Sequence, residues 1–467
     1  MAFLVLGANS VSGYTVKNSL RFNSGSSDFL NRTPSSTTNR QIFTISVWLK
    51  RSSLGLSQIL CNIQSDNDVF FTQFSGNNTI QFGANSGGVS QTLLETSAVY
   101  RDVSAWYHVV FSIDTTQATS SNRMKLYING SQVTAFGTAN YPTQNANLHY
   151  NVTQPVRIGN YNTSQFFGGY MSEIYSIDGQ ALTPSSFGET DTDTGIWIPK
   201  AYTGTYGTNG FYLKFANSSS LGTDSSGNGN NFTVNNLTSV DQSTDTPTNN
   251  FATLNALCAG SGLSLTEGNL KSSYSGADAY KTTPATFGAT KGKWYWEHKI
   301  GSDLTYQLFG ITTENNISDA KNTDVMTGYK TSYCWLAYAT QARYNTTGGA
   351  YSSITYGTSL TGGDIVGCAL DLDNNKIWWS KNGTWQNSGD PVAGTGQAFN
   401  IVSSSSLGYA YFPFVMVLET SSGIEINFGN PPYSGGSFTD SAGFGNFSYQ
   451  VPAGFYSLNT KNLSLYG

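Results

Sequence analysis

The sequence predicts an all-β protein made of two antiparallel, jelly-roll-like β-sandwich domains in tandem. Three observations lead there. Apolar and polar residues alternate in run after run, the period-2 pattern of half-buried strands, and no window sustains apolar residues at i, i+3, i+4 and i+7. Charged residues make up 11% of the chain and aromatics 14%. Low charge with few aromatics would mean disorder, whereas low charge with many aromatic and β-branched residues means large sheets joined by polar loops. Finally, 467 residues exceed one ordinary domain but suit two all-β domains of about 200 residues each.

Along the chain, residues 1–15 form an apolar arm without a positively charged leader region, so it is expected to be a packed arm and a candidate anchor onto another subunit, not a signal peptide. The first sandwich spans 16–200. In "FTISVWLKR" Phe43, Ile45, Val47 and Leu49 share one face, and "WYHVVFSID" and "MKLYING" repeat the pattern, the latter closing on the hairpin dipeptide Asn129-Gly130. Residues 201–255 are rich in Gly, Asn, Ser and Thr and are expected to be a connector. The second sandwich spans 256–435, with "GKWYWEHKI", "QLFGITTE", "GDIVGCALDLDNNKIWWSKNG" and "YFPFVMVL" as its strands. Residues 436–467 look like a loop-rich tail, whose "FYSLN" echoes "FATLN" at 251–255 as a repeated exit segment after each domain.

Net charge is −5 with no basic run, against nucleic-acid binding, which needs clustered cations to neutralise phosphates. No run of 18 apolar residues supplies a spanning helix, so no membrane insertion is expected. The four cysteines are scattered without a C-x-x-C pair, which argues against zinc and for free, buried thiols.

Residues 16–198 resemble the laminin-G-like, concanavalin-type domain, carried by "FTISVWLKR", "WYHVVFSIDTT", "KLYINGSQV" and "FFGGYMSEIYSIDGQALTPSSFGE" in that order. They also closely resemble the version found in tailed-phage virion proteins, where the closing phrase likewise runs on into a segment like "GFYLKFANSSSLGTDSSGNGNNFTVNNL" at 210–237. Residues 260–432 resemble a SPRY domain, with 363–383 as its most diagnostic hairpin. The resemblance implies a sandwich that binds partners through loops and does no catalysis, and the pair resembles phage fibre and attachment proteins.

The 363–383 stretch could be a calcium loop, an acid pair or a hairpin. A calcium loop starting at Asp371 would need Gly at the sixth position and Glu at the twelfth, where Lys376 and Asn382 stand. The hairpin explains every residue, with Asp373, Asn374 and Asn375 as turn formers. A retaining glucanase needs two close carboxylates, from an E-x-D-x-x-E run that this chain lacks. Its nearest approach, Glu173 and Asp178, has one residue too many and is expected to be a solvent-facing Glu and a turn Asp. His108, His149 and His298 fit no hydrolase motif and are expected to be packed, as are Trp294, Trp296 and Trp335. No catalytic residue is assigned and no cofactor is required. Calcium is conceivable at Asp224, Asn228 and Asn230, by analogy with rim sites in laminin-G-like domains, although a glycine-rich connector with Asx turns explains the same residues. Candidate binding residues lie in Tyr-, Asn- and Ser-rich loops, a composition that gives contact area at low entropy cost: Tyr344, Asn345, Tyr351 and Tyr356, then Tyr150 and Tyr161.

Together these features suggest a non-enzymatic virion structural protein, a tail or fibre adhesin exposed on the particle and binding a host-surface glycan or protein. Its other partners would be virion proteins and copies of itself, with a trimer the first expectation. A capsid or tail decoration protein and a glycan hydrolase are the alternatives.

Overall fold

The computed structural model describes residues 13–87, 89–276, 280–302, 307–313, 326, 331–346, 349–418 and 421–467. The N-terminal arm lies outside the described residues except for 13–15. The described residues are almost entirely β, and none of their helices is long and apolar enough to cross a membrane.

The chain divides into two compact units that break between Thr248 and Asn249. In the first unit, one eight-stranded sheet centres on Ile42–Arg51, flanked by Tyr107–Asp114 and Gly169–Asp178. The other eight-stranded sheet runs through Asp68–Phe74 and Ser57–Ser65 at its middle. The alternation that predicts the strands also builds the core. Phe43, Ile45, Val47 and Leu49 are inaccessible to solvent and meet Phe70, Phe74 and Phe82 of the facing sheet.

The stretch expected to be a connector, 201–255, is instead divided between the units, with 201–248 in the first. Phe211–Leu213 pairs with Gly169–Asp178, Thr233–Asn235 with Phe29–Arg32, and Gln242–Ser243 with Ser19–Phe22. Strands of two or three residues are too short to show a period, so composition alone misplaced them.

The second unit pairs a nine-stranded sheet with a six-stranded one. The 363–383 stretch is a hairpin as expected: Ile365–Asp371 and Lys376–Lys381 pair with Asp371 opposite Lys376. Asn375 takes a φ of 56°, and Asn382 and Gly383 take φ values of 47° and 80°, the left-handed pair of a type I′ turn. Asp371 accepts from the Asn374 amide at 2.9 Å and meets the Lys293 ammonium at 3.0 Å, and Asp373 accepts from the Gly292 N–H at 2.8 Å. Val366, Cys368 and Leu370 enter the core beside Trp294, Trp296 and Trp335. All four cysteines are buried, and none is in a disulfide.

The tail at 436–467 is not a loose end. Phe447, Val451 and Phe455 are buried against Tyr295, Ala369 and Trp378 on the outer face of the nine-stranded sheet. Tyr456–Ser457 adds a parallel pairing to Lys293–Lys299, and a short helix, Thr460–Tyr466, is capped by the Asn459 side chain. The two echoing segments are neighbours within this one unit, not exits from two domains. Phe251 bridges Asn459, and the Ala252 N–H donates to the Leu458 carbonyl at 2.9 Å. The segment also buries Glu297, whose carboxylate accepts from the Ser448 and Tyr449 N–H groups, both at 3.0 Å, and from Asn427 Nδ2 at 3.0 Å. Phe447→Ala should therefore destabilise the chain by about 3–5 kcal/mol, as large-to-small changes in a closed core do. Urea unfolding followed by tryptophan fluorescence measures it, and a cost under about 1 kcal/mol would mean the tail is not part of the core.

Both units bury a histidine that accepts from an indole. In the first, Trp197 Nε1 donates to His108 Nδ1 at 2.9 Å, so His108 Nε2 carries the proton and donates to Ser46 Oγ at 2.8 Å. In the second, Trp296 Nε1 donates to His298 Nε2 at 2.9 Å. Each imidazole must be neutral to accept, and burial pushes each down to about 3. A histidine depressed in the fold contributes stability above its unfolded value of about 6.5, and the contribution is lost as pH falls below it. Between pH 7 and pH 5 the chain should lose about 2 kcal/mol of stability for each of these histidines. Urea denaturation at the two pH values tests this, with His298→Gln flattening the share of the second unit.

Candidate binding surfaces

The strongest surface candidate lies on the outer hairpin of the six-stranded sheet. Gln341–Asn345 pairs with Ser352–Thr355 at the end of that sheet. Alternation turns Ala342 into the core and leans Tyr344 on Tyr333 and Phe399, with ring centroids 6.4 and 5.3 Å apart. Gln341 and Arg343 therefore take the opposite face. There the Arg343 guanidinium lies 4.2 Å from the centre of the Tyr351 ring, donates through Nη2 to the Tyr338 hydroxyl at 3.2 Å, and through Nε to Gln341 Oε1 at 3.1 Å. Tyr338 and Tyr351 are 38% and 37% exposed. Arg343 itself is buried, so the guanidinium beside one ring and bonded to a second phenol is a cation held beneath two amphipathic rims. It suits a carboxylate, a carbonyl or a hydroxyl-bearing ligand.

Of the residues predicted from sequence, Tyr351 is on this surface and Tyr344 is half-buried beside it. Asn345 is buried and holds the loop together, donating from Nδ2 to the carbonyls of Met326 at 3.0 Å and Gly349 at 2.8 Å. Tyr356 is not a surface residue. Its ring packs against Trp335 and Trp379, and its hydroxyl bonds to the Trp379 backbone at 3.2 Å. Tyr150 is likewise core, 4.6 Å from the Phe43 ring, with its hydroxyl on Ser176 Oγ at 2.8 Å. Tyr161 is half-buried, its hydroxyl donating to Asp66 Oδ1 at 3.0 Å. Loop composition could not separate tyrosines that point inward from those that point out. Tyr338 and Arg343 went unnoticed, although a Tyr in a tight turn five residues before an outward-facing Arg on the next strand is a signal that alternation could have supplied.

The structure does bring Asp224, Asn228 and Asn230 together, as an Asx knot. The Asp224 oxygens accept from the Tyr212, Ser226 and Asn230 N–H groups and from Ser226 Oγ. Asn228 and Asn230 turn their amide nitrogens onto the Gly210 carbonyl, and the Arg32 guanidinium donates to Asn230 Oδ1. Oxygens that would face a cation face N–H donors instead. Among the described residues no group of three or more His, Cys, Asp or Glu side chains is placed to hold a metal ion.

Glu173, expected to face solvent, is buried. It sits at a β-bulge where the register of Gly169–Asp178 against Ile42–Arg51 shifts, with a φ of 49°. Its carboxylate accepts from the hydroxyls of Tyr14 and Tyr175, both at 2.6 Å, and of Tyr212 at 2.8 Å. Desolvation nonetheless raises its pKa. Asp178 is bound separately, by the Asn209 N–H at 3.0 Å and Asn151 Nδ2 at 3.1 Å. The two carboxylates are thus held by different sets of donors.

With this geometry in hand, comparison with known proteins is informative for each unit. Residues 24–186 match the concanavalin A-like lectin/glucanases superfamily and residues 293–431 match the SPRY domain. The E3 ubiquitin-protein ligase RKP of Arabidopsis thaliana is 26% identical over 149 residues, which is 31% of this chain and 10% of the ligase, so the chain spans about a tenth of that curated relative. Among solved structures, the SPRY domain of human HERC1 is 18% identical, covering 37% of this chain and 96% of that one with a TM-score of 0.28. A heptameric SAP-like pentraxin from Limulus polyphemus is also 18% identical, over 37% and 80%, with a TM-score of 0.28. A putative carbohydrate binding protein from Bacteroides ovatus is 15% identical, over 48% and 59%, with a TM-score of 0.31. Two regions of the chain thus match β-sandwich families, a concanavalin A-like one followed by a SPRY one.

Proposed function

We propose that the chain is a non-enzymatic adhesin that grips a host-surface glycan or protein through the outer hairpin of its SPRY unit. The observation that carries this reading is the pair Tyr338 and Tyr351, exposed over the buried Arg343 at the end of a sheet whose other aromatics are spent on the core. Assignment to a tailed-phage fibre, with other virion proteins and further copies of the chain as partners, rests on the resemblance of 166–189 and 210–237 to virion proteins. A trimer on the particle surface is the arrangement that resemblance suggests.

Replacing Tyr338 and Tyr351 together by Ala removes both rims and leaves the core untouched. Adsorption of particles to host cells should fall at least tenfold with the melting temperature unchanged. Unchanged adsorption would sink the adhesin reading, and failure of the particles to assemble would favour a decoration protein.

Glu173→Gln tests the hydrolase alternative. Adsorption should be intact and no glycan cleavage lost. The folded carboxyl is harder to ionise than the unfolded one, so its cost is absent below the unfolded value and complete above the folded one. The wild type should therefore gain stability relative to Glu173→Gln as pH drops from 7 towards 4.5. A difference in unfolding free energy that moves the other way would contradict the buried-carboxylate account.

A further inference from the structure

A second concavity in the SPRY unit is unrelated to the hairpin surface. It has a volume of about 510 Å³, within the roughly 300–1,000 Å³ of small-molecule sites. One wall comes from the loop after the type I′ turn, with Trp385, Asp390 and Val392. The other comes from the C-terminal segment beyond the matched SPRY region, with Thr439, Gln450 and Pro452.

Both walls are preformed. Asp390 and Thr395 exchange backbone hydrogen bonds of 2.9 and 3.0 Å, closing the first loop, and Asp390 Oδ1 accepts from the Val392 and Ala393 N–H groups at 3.0 Å. The second wall is pinned by Asp440, whose Oδ1 accepts from the Ala442 and Phe444 N–H groups and whose Oδ2 accepts from the Ser457 N–H and from Asn462 Nδ2. The half-buried Trp385 ring is set edge-on to Tyr295 at a centroid separation of 6.5 Å.

The open groups have a consistent chemistry. Among the described residues, the Trp385 indole N–H donates to nothing, Asp390 Oδ2 accepts from nothing, and Gln450 spends its Nε2 on the Val451 carbonyl but leaves Oε1 open. Beside them lie apolar faces, with Val392 59% exposed. One indole, one carboxylate oxygen, one amide oxygen and apolar patches match a pyranose, with its hydroxyl rim and C–H face. Among the described residues that line the cleft, the only charged side chains are Asp390 and Asp440, so an anionic ligand would find no counter-charge. Thr384–Trp385 is a two-residue strand, too short to template an extended peptide by backbone pairing.

We propose that this cleft is a binding site for a neutral saccharide, with Trp385 as the stacking platform and Asp390 and Gln450 as hydroxyl acceptors. The full chain is titrated with lactose, N,N′-diacetylchitobiose, maltotriose and mannotriose, followed by tryptophan fluorescence and calorimetry, with 3′-sialyllactose and choline chloride in parallel. At least one neutral sugar should bind. Asp390→Asn, which keeps the Oδ1 contacts of the turn, should weaken it at least fivefold. Val392→Arg, at an exposed position that leaves the fold intact, should weaken it more than tenfold, and Tyr351→Ala should leave it unchanged. Binding by none of the neutral sugars, binding that survives Val392→Arg, or binding of choline alone would each overturn the proposal. Because Tyr351 belongs only to the hairpin surface, failure of the adhesin reading and failure of this one are separately visible.

Discussion

The Lys50 ammonium and the Asp245 carboxylate lie 2.8 Å apart, and neither side chain is open to solvent. Trp106 Nε1 donates to the other Asp245 oxygen at 3.0 Å. The arrangement follows from Ile42–Arg51 itself. Its odd residues fill the core, and alternation then turns Thr44, Ser46, Trp48 and Lys50 outward, yet these too are at most 3% exposed, because later segments of the same unit lie over them. A lysine buried in this way needs a counter-charge in place, since removing one partner of a buried pair costs roughly 3–5 kcal/mol. The residue that supplies it comes from the stretch that composition marks as a connector. The unit is therefore complete only at residue 248.

The second unit meets the same constraint by other means. Glu297 faces outward from Lys293–Lys299 and has no cation among the hydrogen-bond and ion-pair partners described for it. Backbone N–H groups of the C-terminal segment, the Asn427 amide and the Tyr295 hydroxyl satisfy it instead. Desolvation outweighs these donors and its pKa is raised. Both sheets are thus covered on the face turned away from the core, and in each unit the cover is chain that carries little periodicity of its own.

That division explains what could be read from the sequence. Strands of seven to ten residues, such as Ile42–Arg51 and Ile365–Asp371, show their period and their inward face directly, and Asn375 and Asn382 announce the turns. The order of the two families follows from such segments. The covering segments are held by single contacts distant in sequence, Asp245 on Lys50 or Phe447 on Tyr295, which no local pattern encodes. Glu173 fails for the same reason: it shares the outer face with Tyr175, and Tyr212, from the stretch that composition marks as a connector, covers it. Tyrosine in a loop-like stretch is equally ambiguous. Tyr351 and Tyr356 sit five residues apart in one polar run, yet one covers Arg343 and the other locks between Trp335 and Trp379.

Coverage also limits where a ligand can touch the SPRY unit. Trp378 and Tyr295 belong to the outer face of the nine-stranded sheet and would be natural stacking surfaces, but Phe447 and Phe455 already occupy them. Aromatic faces stay open where the cover stops, among them the outer hairpin with Tyr338 and Tyr351 and the edge beside Trp385. The second case is a direct consequence of the cover. Trp385 sits at the last strand of the sheet, so the C-terminal segment that seals Trp378 runs past it without closing over it. The concavity lies in the step between the two. Its far wall is built from residues 439–453, the same segment that neutralises Glu297. A substitution that loosened this segment would thus expose the sheet and open the cleft together, which couples the stability of the unit to the shape of its concave surface.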